Sequence, residues 1–139
     1  MIVCTTDLGR SSLERDNPVE GVREKVLIQT LDSFAFQNVG FIKIDVEGHE
    51  LSVLRGAIAT IERERPNFLI EIEERHKPES TRTVPELLES LEYTGWFLLQ
   101  QKWTPFAAFD KELHQCIGKE PYVNNFVFVP AEKRRLFTS

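Results

Sequence analysis

Phe41-Ile42-Lys43-Ile44-Asp45-Val46-Glu47-Gly48-His49-Glu50 is the stretch on which the fold turns. Its first six residues alternate, so that Ile42, Ile44 and Val46 share one face of a strand while Lys43, Asp45 and Glu47 share the other. Gly48 directly after the run permits a sharp turn. Leu51, Leu54, Ile58 and Ile61 then recur at helical spacing, broadened by Val53 and Ala57, until Pro66 forbids continuation. A second apolar run, Phe68-Leu69-Ile70-Glu71-Ile72, follows at once. Strand, helix and strand at this length form the crossover unit of a parallel sheet, with strands over 41–46 and 68–72 and one helix over 49–63.

The surrounding sequence extends this α/β pattern. Short β-branched runs at Ile2–Thr6 and Val26–Thr30 flank a polar loop containing Ser11, Ser12, Asn17, Pro18 and Gly21, and are expected to pair with each other. Thr83 with Glu86 reads as a capping box that opens a helix through Leu87, Leu88 and Leu91 up to Gly95. Trp96–Gln100 and Asn125–Val129 read as two further strands, with a short helix near 111–117 between them.

Composition narrows the function classes. The chain has 139 residues, 41% of them hydrophobic, enough for one domain or part of one. Its 22 acidic and 17 basic residues give a charge of −5 without a basic stripe, which argues against nucleic acid as a partner. Lys133, Arg134 and Arg135 read as a solvated tail. No window reaches the roughly 18 apolar residues of a membrane span. Cys4 and Cys116 form no ligand or disulfide pattern, so a cytoplasmic setting is expected.

Chemistry concentrates at the ends of the two central strands. If these strands are parallel neighbours, Asp45, Glu47, Glu71 and Glu73 gather at the carboxyl edge, with Lys43 deeper among them, and open α/β sheets bind ligands at that edge. A plainer arrangement also satisfies the charges: Lys43 pairs with Glu71 while Asp45 and Glu47 cap the next helix. Carboxylate oxygens so clustered leave a divalent-cation site as a further possibility. His49-Glu50 does not open a zinc motif, because position 53 is Val53. His49 and His76 lie just past strand ends, whereas His114 stands apart. None of the seven glycines lies within two residues of another, so a glycine-rich nucleotide turn is missing.

The string Thr30-Leu31-Asp32-Ser33, then 41–50, then Val53-Leu54-Arg55-Gly56-Ala57, then Arg65-Pro66 and Ile70-Glu71, resembles the FkbM methyltransferase family in order and spacing. Ser11-Ser12-Leu13 and Asn125–Phe128 are weaker supports. The resemblance implies part of a class I methyltransferase sheet, Rossmann-like, of parallel strands with an antiparallel terminal strand. Residues 1–34 would supply N-terminal strands and a loop, and 35–139 the C-terminal half of the sheet. The half that carries the glycine turn and the ribose-binding acid is lacking.

By the same resemblance, Asp45, Glu47 and Gly48 border S-adenosylmethionine, Asp45, Glu47, His49 and Glu71 are the catalytic candidates, and Glu71, Glu73 and His76 line the acceptor side. The implied reaction is O-methylation of a hydroxyl on a small molecule or sugar, with weak or no cofactor binding by this chain alone. A non-catalytic interaction module is the alternative. Loss of the neighbouring strand would leave the strand at 41–46 as an uncovered edge, and self-association through that edge is expected.

Overall fold

A computed structural model describes residues 26–137 and the backbone of two short strands, β1 (Ile2–Val3) and β2 (Val22–Arg23), which pair antiparallel with each other. The loop expected through Ser11 and Pro18 lies outside the described residues, as does the rest of the run expected at Ile2–Thr6. The main sheet has five strands: β3 (Phe41–Ile44), β4 (Asn67–Glu71), β5 (Tyr93–Leu99), β6 (Lys102–Pro105) and β7 (Asn125–Pro130). Their spatial order is β3-β4-β7-β5-β6.

As expected, β3 and β4 are parallel neighbours, with Phe41 opposite Asn67 and Ile44 opposite Ile70. Every other pairing is antiparallel. The last strand is therefore antiparallel, but it is no terminal strand: β7 fills the middle of the sheet between β4 and β5. The β5–β6 hairpin adds a further antiparallel edge where a plain connection was expected.

Alternation sorts the side chains. Ile44, Phe68, Ile70, Ile72, Phe97, Phe126 and Phe128 are buried and form one core with Leu54, Ile61, Val84 and Leu88 of the helices. Leu69, Glu71 and Val127, at the intervening positions, are only partly buried, and Lys43 is exposed. One face of the sheet thus carries the hydrophobic core, while the other is less fully covered and mixes apolar Leu69 and Val127 with Lys43 and Glu71.

The helix expected over 49–63 is divided into α1 (Glu50–Arg55) and α2 (Ile58–Glu64). Asp32 holds the break. Its carboxylate accepts from the backbone N–H of Ala59 (3.1 Å) and Thr60 (2.8 Å) and from the Thr60 hydroxyl (2.7 Å), capping α2 from a distant part of the chain. The backbone N–H of Asp32 also donates to the Gly56 carbonyl at 3.0 Å. A β-carbon on Gly56 would lie 3.3 Å from Thr30, so the small residue lets this segment approach the helix break.

Three other expectations shift. Val26–Thr30 forms no strand; it runs as exposed irregular chain into a short 3-10 turn at Leu31–Phe34. Helix α3 starts earlier than Thr83, at Ser80, and spans Ser80–Ser90. Glu74 satisfies its first turn by accepting from Glu79 N–H (2.7 Å), Thr81 N–H (3.3 Å) and the Thr81 hydroxyl (2.6 Å), while Thr83 donates back to the Glu79 carbonyl from inside the helix. Gly95 does not end α3 but lies within β5, where an added β-carbon would meet Phe128 at 2.7 Å and Phe106 at 2.9 Å. The short helix expected near 111–117 is present as α4 (Lys111–His114).

Two substitutions check this account in chemical denaturation. Gly95→Ala forces a methyl group into the Phe106–Phe128 contact and is expected to cost about 1–3 kcal/mol. Asp32→Ala removes the cap on α2 and is expected to cost about 1 kcal/mol; an unchanged denaturation midpoint would contradict that role.

Candidate active site

Strand β3 ends at Ile44, and the chain then turns through two consecutive left-handed residues, Glu47 (φ 44°) and Gly48 (φ 95°). Glycine adopts this conformation at no steric cost, whereas Glu47 must be held in it. The holding group is Glu50, itself buried, whose carboxylate accepts the Gly48 N–H at 2.7 Å. A β-carbon on Gly48 would sit 3.2 Å from the His76 carbonyl oxygen and from Lys77 Cβ. The turn after β3 is therefore packed on the loop after β4, and the two carboxyl ends form one polar edge.

The register places Asp45 and Glu71 level, one step beyond the pair Ile44 and Ile70. Lys43 donates to Asp45 at 2.7 Å in a solvent-exposed pair, in place of the Lys43–Glu71 pairing considered from sequence. Nor do Asp45 and Glu47 cap the following helix; the carboxylate that secures its entry is that of Glu50.

Antiparallel pairing of β7 with β4 brings the start of β7 to the end of β4, with Asn125 opposite Glu71. Asn124 just before it donates to both Glu71 (2.8 Å) and Glu73 (3.1 Å). Tyr122 donates to Glu73 at 2.6 Å, and the Arg75 guanidinium grips the same carboxylate through two nitrogens. His76 lies 4.0 Å from Glu73. Gln115 secures the loop beneath, donating to the carbonyls of Ile72 (2.7 Å) and Val123 (3.0 Å) and accepting from Glu74 N–H (2.9 Å).

These environments drive two neighbouring glutamates apart. Burial disfavours the charge of Glu73, but Arg75, Tyr122 and Asn124 outweigh it and bring its pKa down to about 2. Glu71 moves the other way: burial, the Asp45 charge and the adjacent Glu73 raise it, offset in part by Lys43. One carboxylate is thus a fixed anion and its neighbour a stronger base than an ordinary glutamate.

The structure therefore brings Asp45, Glu71 and Glu73 together, with His76 beside Glu73. Glu47 stands at the turn, where its charge acts on Arg75. His49 borders a predominantly apolar cleft of about 620 Å³ lined by Ile28, Leu31, Phe34, Val53 and Gly56. Among the described residues no group of His, Cys, Asp and Glu side chains could hold a metal ion, so the divalent-cation possibility gains no support. Sequence reasoning missed Arg75, Tyr122 and Asn124. The available signal was the strand at Asn125–Val129: pairing it antiparallel to β4 would have brought the residues before it to Glu71.

A family model described as methyltransferase FkbM domain matches residues 5–95. The chain belongs to the FkbM methyltransferase family. No curated protein and no solved structure matches it. The part matched to the FkbM domain includes β3, both halves of the divided helix, β4 and α3, and hence Asp45, Glu47, Gly48, His49, Glu71, Glu73 and His76. Tyr122 and Asn124, which complete the carboxylate network, lie beyond it. Among the described residues no helix is long and apolar enough to cross a membrane.

The sign of each shift gives a pH expectation. Glu73 and Glu74 are both held near 2, against an ordinary value of 4.5, so the folded chain binds fewer protons than the unfolded one between those limits. Their stabilisation is complete above 4.5 and is lost as pH falls towards 2. At neutral pH, Glu73→Gln is expected to cost about 1–3 kcal/mol, whereas Glu71→Gln, which removes a charge crowded by Asp45 and Glu73, is expected to be neutral or stabilising. Thermal denaturation of both variants reads the difference; equal losses would refute the division of roles.

Proposed function

We propose that this chain derives from an S-adenosylmethionine-dependent O-methyltransferase, with Glu71 as the base that takes the proton of an acceptor hydroxyl on a small molecule or sugar. The observation that carries the reading is the opposed environment of Glu71 and Glu73 at the carboxyl end of the parallel β3–β4 pair, within the region matched to the family. Arg75, Tyr122 and Asn124 keep Glu73 anionic, and that charge, with Asp45, keeps Glu71 basic. As the acceptor oxygen gains a methyl group, its proton passes to Glu71. A parallel pair joined by a helical crossover and followed by an antiparallel last strand is compatible with the C-terminal half of a Rossmann-like sheet.

S-adenosylmethionine supplies an activated methyl group on sulfur when bound. The chain's own groups fit only a border of it. The Gly48 N–H is turned inward onto Glu50, Asp45 is engaged by Lys43, and the sequence has no glycine-rich turn to receive the rest. These same facts favour a second reading, a non-catalytic interaction module that keeps the stable part of the fold. Either way the composition points to a cytoplasmic protein with no nucleic-acid partner.

Calorimetry on the full chain is expected to show millimolar or no binding of S-adenosylmethionine; micromolar binding would overturn the account of the cofactor border. Incubation at millimolar cofactor with a panel of sugars and hydroxyl-bearing small molecules, read by mass spectrometry, separates the two functions. Methylated product that falls at least about tenfold with Glu71→Gln supports the enzyme. Absence of product across the panel favours the module.

A further inference from the structure

Asn124 donates from one amide nitrogen to two carboxylates, reaching Oε1 of Glu71 at 2.8 Å and Oε1 of Glu73 at 3.1 Å. The two acceptors do not depend on it equally. Glu73 is also held by Arg75 and Tyr122, whereas among the described residues no other group donates to the Glu71 carboxylate. Like charges at this spacing repel, and Asp45 on β3 repels Glu71 as well, while Lys43 offsets only part of the effect. Without a donor between the two carboxylates, Glu71 is the side chain that swings away.

The amide is itself aimed. Asn125 donates to Asn124 Oδ1 at 2.9 Å, so the NH2 end is the one that faces the carboxylates. A flipped amide would set its oxygen against two anions and its NH2 against that of Asn125. The backbone fixes where this pair stands. Ile72 N–H donates to the Asn124 carbonyl at 2.8 Å, Asn125 lies opposite Glu71, and the flanking Val123 and Phe126 are buried, which forbids a slip in register. Both asparagines come from outside the stretch matched to the family.

We propose that Asn124 is the positioning residue of the site: its amide, aimed by Asn125, keeps the Glu71 carboxylate turned towards Glu73 and so ready for the acceptor proton. The proposal rests on Glu71 as the base of the proposed reaction. Once that proton arrives, the Glu71 carboxyl can donate to the Glu73 carboxylate beside it.

The two glutamates then titrate as a coupled pair only while Asn124 joins them. Carboxyl carbon NMR of the glutamate-labelled full chain reads this without cofactor or acceptor, so its result is separate from whether methyl transfer occurs. In the parent, Glu73→Gln removes the neighbouring charge and is expected to lower the Glu71 midpoint by about half a pH unit or more. In an Asn124→Ala background the same substitution is expected to move the midpoint by less than half as much, because Glu71 has already swung away. Asn125 is exposed, so Asn125→Ala leaves the fold intact and the Asn124 amide in place but unaimed. An intermediate coupling is expected there, which guards against misfolding as the cause of loss. No shift in the parent, equal shifts in the parent and Asn124→Ala backgrounds, or an Asn125→Ala chain that behaves as the parent would overturn the proposal.

Discussion

The register of β3 on β4 is the constraint from which the polar edge follows. Because Ile44 lies opposite Ile70, the next residues out, Asp45 and Glu71, stand level, and the apolar side chains on the other face meet the helices. A slip of one residue would carry Lys43 and Asp45 into the core and expose Ile42 and Ile44. The hydrophobic effect therefore positions the carboxylates, although it acts on none of them directly. Once placed, they are differentiated by what reaches them from elsewhere: Arg75 from the following loop, and Tyr122 and Asn124 from the approach to β7.

The parallel pair and its helical crossover were legible in residues 41–72 because period-two and helical patterns follow each other there without interruption. The division of that helix was not. It depends on Asp32, whose capping partners lie 27 and 28 residues away, and a carboxylate in Thr30-Leu31-Asp32 carries no local sign of them. For the same reason Val26–Thr30 misled: its β-branched residues suit a strand, yet no neighbour in the described structure pairs with it, and propensity without a partner leaves an exposed chain. The acids Asp45, Glu71 and Glu73 were readable from alternation, whereas their opposed protonation was not, since it depends on burial and on Tyr122 and Asn124, about 50 residues distant, which join the nearby Arg75 in holding Glu73 charged.

Two of the stretches that signal the family in sequence turn out to be one physical unit. Thr30-Leu31-Asp32 lies against the Gly56-Ala57 break, joined by the Asp32 backbone, the Asp32 carboxylate and the close approach of Thr30 to Gly56. This clasp fixes where α2 begins, and with it how Ile61 meets the core. Arg65 fastens the other end of α2: it donates to the carbonyls of Leu91 and Glu92 and pairs with Glu132, while Lys133 donates to the Arg65 carbonyl. Lys133 is thus more than part of a solvated tail.

The position of β7 bears on how the protein is made. A chain emerging from the ribosome supplies β4 and β5 long before β7, yet these two strands are not neighbours; the gap between them is reserved for the last strand of the sheet. Until residues 125–130 have left the exit tunnel, Phe68, Ile70 and Phe97 lack Phe126 and Phe128, and two strand edges face an empty slot. Early segments can form helices and the β3–β4 pair, but the core closes only once β7 is available to fill the slot. Until then the centre stays unfilled, and apolar surface and strand edges exposed in this way are prone to aggregation.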